Sequence, residues 1–290
     1  TPDSFSGDGL MFPSPTRAER SGSGDEAGRE VRGEGESPAL EQAKYFLDNG
    51  ADILDIGGES TRPGSQPVTA EEELVRVIPV IQDIRKNFPD ALISIDTSKA
   101  DVAEAGFKAG ANILNDVWAL RADPRLASVA AAFRVPVILM HNRSNPTNVE
   151  VRERLGNAYI GSEYDDLLED VKRELLASVE IAVKAGVEET CLILDPGIGF
   201  GKTRDHNLEL INRLDEIRAL GYPVLLGASR KSFIGFTLDL PMDQRIEGTA
   251  ATTAVGIARG ADIIRVHDVK EMARVAKMTD AIVRKAGRAV

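Results

Sequence analysis

Residues 90–116 read DALISIDTSKADVAEAGFKAGANILND. An apolar run, Leu92–Ile95, gives way to the polar Asp96-Thr97-Ser98-Lys99. An amphipathic stretch over Val102–Ala109 follows and stops at Gly110, where a left-handed residue is wanted after a helix. A second apolar run, Ile113–Leu114, then closes on Asn115 and Asp116. The stretch reads strand, helix, strand. Both strands are apolar along their length, as in a parallel sheet buried on both faces.

The same alternation continues in both directions. Strands are expected at Ile53–Ile56, Val135–Met140, Cys191–Leu194, Val224–Leu226 and Ile263–Val266. Helices are expected at Leu40–Asp48, Glu71–Asn87, Pro124–Phe133, Asp165–Ala185, Asn207–Leu220, Asp243–Ala258 and Lys270–Ala286. Gly50, Gly186, Gly221 and Gly260 each follow a helical run, and Thr69 with Glu72 has the spacing of a capping box. Alternation of this kind implies an α/β fold with a parallel sheet, and its closed form, the (β/α)8 TIM barrel, needs eight strands. The chain shows seven. It opens on Thr1-Pro2-Asp3-Ser4-Phe5-Ser6, a polar turn of the sort that follows a strand, so the first strand, absent from this sequence, is expected to lie upstream of residue 1 or to be missing. Residues 1–290 are read as one domain. It is interrupted at about 13–38 by a Ser-, Gly-, Arg- and Glu-rich stretch too poor in large apolar residues to offset its ordering entropy.

Charge and composition narrow the function classes. A net charge of −11 disfavours nucleic acid and anionic membranes as partners. The one cysteine, Cys191, excludes an internal disulfide and a multi-cysteine metal site, and fits a reducing, cytoplasmic compartment. No apolar run is long enough for a transmembrane helix, and no secretory signal opens the chain.

The informative residues end the strands. Asp55 leads into Gly57-Gly58-Glu59-Ser60-Thr61-Arg62-Pro63-Gly64; Asp96, Asn115 and Asp116 end the next two strands; His141 and Asn142 follow the fourth. Asp195 opens Pro196-Gly197-Ile198-Gly199-Phe200-Gly201-Lys202, Ser229-Arg230-Lys231 follows Val224–Leu226, and Arg265 and His267 end the last strand. In a barrel these C-terminal strand ends meet at one mouth. Single polar residues there are commonly helix caps, but Lys231, Arg265 and His267 carry the wrong charge for a helix N-terminus. Cations at Lys231, Arg265 and His267 suit a diphosphate. Acceptors at Asp96, Asn115 and Asp195 suit a flat heterocycle with an N–H edge, although a purely structural Asp–Lys network has the same composition. The glycine-rich loop at 197–202 lacks Walker and dinucleotide spacing, and alone it is a weak signal. Ser60–Gly64 reads as a loop covering substrate, or as a plain turn.

Taken together, these segments resemble the dihydropteroate synthase family. The resemblance rests on Thr1–Ser6, Asp55–Gly64, Ile95-Asp96-Thr97, Asn115-Asp116, Asp195–Lys202, Ser229–Ser232 and Arg265–Asp268, all in family order. It implies a (β/α)8 barrel, usually a homodimer. That enzyme joins 6-hydroxymethyl-7,8-dihydropterin diphosphate to 4-aminobenzoate, with Mg²⁺, to give 7,8-dihydropteroate and pyrophosphate; sulfonamides compete with the benzoate. By motif, Asp96, Asn115, Asp195, Lys231 and Arg265 correspond to the pterin pocket, with Asp96, Asp195, Lys231 and Arg265 as the catalytic set. Arg265 and His267 correspond to the diphosphate site. Phe5, Thr61, Arg62, Pro63, Phe200 and Ser232 correspond to the benzoate side. The family's metal-ligating Asn ends the strand before Thr1 and so lies upstream of this sequence. Ser6-Gly7-Asp8-Gly9 departs from the family's usual Ser-Asp-Gly-Gly. Two alternatives remain open at this point: a non-catalytic or truncated pterin-binding homologue, and a methyltetrahydrofolate–corrinoid methyltransferase on the same barrel.

Overall fold

The computed structural model describes residues 37–61, 64–145, 149–152 and 154–284. Helix α1 (Pro38–Asp48) begins where the low-complexity stretch ends, with Ser37 as its N-cap and Pro38 in the first turn. The rest of that insertion, residues 13–36, lies outside the described residues, as does Phe5. Then follow β1 (Ile53–Gly57), α2 (Ala70–Asn87), β2 (Leu92–Asp96), α3 (Ala100–Ala109), β3 (Ile113–Asp116), α4 (Leu126–Phe133) and β4 (Val137–Met140). A hairpin, β5 (Val149–Arg152) and β6 (Gly156–Tyr159), precedes α5 (Leu167–Lys184) and β7 (Leu192–Asp195). The chain continues with α6 (Arg204–Asn212), α7 (Leu214–Arg218), β8 (Leu225–Leu226), α8 (Ser232–Leu238), α9 (Ile246–Ala258), β9 (Ile263–Ile264) and α10 (Val269–Val283).

The parallel strands follow one another in chain order. β1, β2, β3, β4 and β7 form one sheet, Leu194 bridges to Val224, and β8 pairs with β9. This is the wall of a (β/α)8 barrel; among the described residues β9 and β1 are not hydrogen-bonded to each other.

Side-chain alternation sorts each strand into two sets. Ile53, Ile113, Ile138, Ile193, Leu225 and Ile263 pack together inside the wall. Their neighbours Leu54, Leu114, Leu139, Leu194, Leu226 and Ile264 face outward, into the main core under the helices. Burying each such side chain contributes about 1.5–3 kcal/mol. Two residues beyond the inner set, toward the strand ends, come Asp55, Asn115, Met140, Asp195, Gly227 and Arg265, with Asp96 level with Asn115 and Met140 level with Asp195. An apolar floor and a polar mouth therefore arise from one period of two.

Three elements differ from the sequence expectation. The β5–β6 hairpin lies in a stretch for which the sequence suggested no element. Its alternation is short, and its pairing is set by the residues it packs on. Helix α8 follows Lys231 with no side-chain cap, so nothing local marks its start. The helix expected over Asn207–Leu220 starts at Arg204, on a Thr203–His206 capping box, and breaks at Arg213. The break lets Leu210 and Leu214 both reach full burial. At Thr69 the hydroxyl does accept from the Glu72 N–H, at 3.2 Å.

Candidate active site

Arg265 organises the mouth. Its guanidinium lies 3.3 Å from Asp55 Oδ2, 3.9 Å from Asp96 Oδ2 and 4.0 Å from Asp195 Oδ2, and so joins three strands across the barrel. Burial works against its charge, but the three carboxylates prevail and hold the guanidinium more firmly protonated. Asp195 is oriented by the Gly197 N–H, which donates to its Oδ1 at 2.7 Å.

Asp96 faces the opposite balance. Burial, and then the nearby Asp55, raise its carboxyl to about 8 against the pull of Arg265. Near neutral pH it therefore favours the protonated form, and a positive charge placed beside it would draw it to the ionised form. Lys231 is pushed down to about 7 by burial and by Arg265, with Asp195 opposing. Its ammonium donates to the Ile198 carbonyl and lies 4.8 Å above the centre of the Phe200 ring. Asn115 is buried, and neither its Oδ1 nor its Nδ2 has a partner. Such an amide is costly unless something supplies both an acceptor and a donor. His267 is fixed by Ser229, whose hydroxyl lies 3.0 Å from Nδ1 and also accepts from the His267 N–H.

Asp55, Thr61, Asp96, Asn115, Lys231, Arg265 and His267 share one cavity of about 560 Å³, which also runs between β9 and β1 to reach α1, α2 and α10. Phe200 and Ser232 border a smaller adjoining cavity that also touches Lys231. Of the expected residues, Phe5, Arg62 and Pro63 lie outside the described residues; the others line these two spaces, except Asp195, which lies behind Arg265 at 4.0 Å. Asp55 was missed as a site residue. The signal was available, because an Asp two residues after Ile53 on an otherwise apolar strand must share Ile53's inward face.

The loop after Asp195 is locked from beneath. Lys202, 3 % exposed, donates to the carbonyls of Gly197 (2.9 Å) and Phe200 (3.1 Å) and meets His141 Nδ1 at 2.9 Å. His141 Nε2 in turn lies 3.1 Å from Glu174, which also takes Arg143. Burial, with Lys202 beside it, lowers His141 to about 4, so the ring is neutral, with its Nε2 proton toward Glu174. Neither Lys202 nor His141 was assigned a role from sequence, because nothing local pairs residues 61 positions apart.

Among the described residues no group of three or more His, Cys, Asp or Glu can hold a metal ion. The three clustered aspartates are bridged by a guanidinium instead. The described residues do not by themselves make a Mg²⁺ site. Nor, among the described residues, is any helix long and apolar enough to cross a membrane.

An α/β barrel whose acceptors and cations converge on one mouth has the layout of a small-molecule enzyme. A family profile described as pterin binding enzyme matches residues 23–267. A dihydropteroate synthase of Clostridium beijerinckii is 52 % identical over 85 % of this chain and 86 % of its own length. That of Bacillus subtilis is 53 % identical over 86 % of this chain and 81 % of its own. A Clostridium difficile dihydropteroate synthase, crystallised in the presence of pteroic acid, superposes with a TM-score of 0.77 at 48 % identity, covering 85 % of this chain and 88 % of that one. The Yersinia pestis enzyme with a sulfonamide drug gives 0.77 at 40 % identity, over 84 % of each chain. The chain belongs to the pterin-binding enzymes, and within them to the dihydropteroate synthase family. That membership sets it apart from the corrinoid methyltransferases.

Proposed function

We propose that the strand-end cavity binds 6-hydroxymethyl-7,8-dihydropterin diphosphate and joins its methylene carbon to the amine of 4-aminobenzoate, giving 7,8-dihydropteroate and pyrophosphate. The chain is a transferase of folate biosynthesis. The observation that carries the assignment of residues is the unpartnered, buried Asn115 amide in one cavity with Asp96, Lys231 and Arg265, with Asp195 4.0 Å from Arg265. Asp195 and Asn115 offer the acceptors and donor that the pterin's N–H and carbonyl edge requires, and Lys231 adds a cationic donor. Arg265, with His267, meets the diphosphate. As the diphosphate leaves, positive charge grows on the methylene carbon, and Asp55, Asp96 and Asp195 stabilise it electrostatically. No side-chain nucleophile is needed. Thr61, Phe200 and Ser232, with Phe5, Arg62 and Pro63, are assigned to the 4-aminobenzoate side, where a sulfonamide would compete.

Three further parts of the reading are proposals of the same kind. Mg²⁺ would be bound through the diphosphate rather than caged by the described residues, and would neutralise charge on the leaving group; a chelator should then stop turnover. The protein acts as a homodimer in the cytoplasm; Met278 and Ile282, one turn apart and exposed on α10, supply apolar surface for a second copy, and sedimentation tests it.

The decisive assay follows pyrophosphate release from purified protein given the pterin diphosphate, 4-aminobenzoate and Mg²⁺. Asp96→Asn and Lys231→Met should each lose at least about a hundredfold in turnover, the scale of one electrostatic group. Wild-type rates in both would remove the residue assignment. No turnover by the wild type would favour the non-catalytic homologue.

A further inference from the structure

We propose that Tyr159, at the end of β6, is a positioning residue that ties the Thr61 loop to the Phe200 loop, so that the β5–β6 hairpin sets the geometry of the second-substrate site. The inference rests on the assignment of Thr61 and Phe200 to the 4-aminobenzoate side.

The Tyr159 hydroxyl donates to the Thr61 carbonyl at 2.9 Å, across 98 positions of sequence. Its ring lies 6.0 Å from the Phe200 ring, centre to centre, in a small apolar cluster with Val117 and Met140 that is separate from the main core. One side chain therefore touches both loops, the first by its polar end and the second by its ring. Burial raises the phenol to about 12, so the hydroxyl remains a donor at any working pH.

The hairpin is held at its other end too. Arg245, buried, donates to the Leu155 carbonyl at 2.8 Å and to the Arg230 carbonyl at 2.9 Å. Arg154 donates to the Asp239 carbonyl at 3.0 Å and pairs with its carboxylate. The hairpin thus spans from the Thr61 loop to the segment that carries Arg230, Lys231 and Ser232. Gly156 and Asn157 wall the small cavity shared by Phe200, Lys231 and Ser232.

The Thr61 loop does not need Tyr159 in order to fold. Its base is closed by Glu59, which accepts from the Val68 N–H (3.2 Å) and pairs with Lys99, and by the Ser65 hydroxyl, which donates to the Ser60 carbonyl at 2.6 Å. Removing the hydroxyl alone leaves the ring packing and the loop base intact; it releases the Thr61 carbonyl and the Ser144 hydroxyl that also meets the phenol.

Tyr159→Phe in the full chain makes that change. The expected result is a KM for 4-aminobenzoate raised about fivefold to tenfold, equivalent to about 1.0–1.4 kcal/mol. KM for the pterin diphosphate should stay within about twofold, and kcat within about threefold. Thermal unfolding, measured alongside, should shift by no more than a few degrees. An unchanged KM for 4-aminobenzoate, or equal losses for both substrates, overturns the proposal. A wild type that turns over normally while Tyr159→Phe matches it refutes the tether alone; a wild type without synthase activity refutes the function on which the tether rests.

Discussion

Lys202→Met is the most exacting perturbation of the active-site scaffold. The ammonium is buried and bonds to two carbonyls of its own loop and to a ring nitrogen of His141. Methionine matches the stem in length and supplies no donor. The Gly197 and Phe200 carbonyls then lose a partner, at about 1–3 kcal/mol for each acceptor left unsatisfied, and His141 Nδ1 loses one as well. Against this, the variant no longer desolvates a cation. The balance is a loss of about 3 kcal/mol. For a chain of 290 residues the unfolding entropy is about 0.6 kcal/mol per kelvin, so Tm should fall by about 5 °C. The dependence on pH has a defined sign. Burial lowers Lys202 to about 7, with Asp195 opposing and Lys231 adding to the shift. Between about 7 and its ordinary value of 10.5 the unfolded chain holds a proton that the folded chain does not, so wild-type stability gains with rising pH in that window and the variant lacks the gain. The deficit of the variant should widen from pH 7 to pH 9. Urea unfolding followed by circular dichroism at the two pH values reads both quantities. A variant as stable as wild type with an unchanged m-value, or a deficit that narrows with pH, would refute the reasoning.

Four other outcomes can be checked. Gly197→Ala should leave little folded protein, because its φ is +68° and an added Cβ would sit 1.8 Å from the His141 carbonyl; Gly221→Ala, at φ +95° with nothing within 4 Å, should cost only about 1–2 kcal/mol in urea unfolding. Asn115→Leu should keep or raise stability, since an unpaired amide is lost, while pterin affinity measured by calorimetry falls at least about tenfold; a stability loss of several kcal/mol would mean the amide has a structural partner. Burial lowers His141 to about 4 from 6.5, so the unfolded chain holds the extra proton in that window and stability rises with pH across it, by up to about 3 kcal/mol. The Glu174 carboxyl, held far below its ordinary range by hydrogen bonding to His141 and to Arg143, acts in the same sense as pH falls below 4.5. A flat urea midpoint between pH 4.5 and 6.5 would contradict the His141 reading, and one that stays flat below pH 4.5 would contradict that for Glu174.

Much of the wall was legible because its determinants are local. Ile53, Ile113, Ile138 and Ile193 each sit two residues before a mouth residue, and on a strand that spacing alone puts both on one face. Gly110 and Gly260 end α3 and α9 in left-handed turns (φ 120° and 102°), as a glycine after a helical run predicts. The hairpin escaped notice because a four-residue strand has too short an alternation to distinguish it from loop, and its position depends on Arg245 and Tyr159 reaching distant backbone.

By itself, then, the amino-acid order determined the strand and helix succession, the inward face of each strand and the polar character of the strand ends, since all three follow from backbone periodicity within a few residues. Only the tertiary structure decided which charges meet. Arg265 lies 210 positions from Asp55, Lys202 lies 61 from His141, and Tyr159 lies 98 from Thr61. The reason is physical: a carboxylate's proton affinity and a buried donor's partner depend on distance in space and on exclusion of water, and both are set when the wall curves and brings separate strands to one mouth.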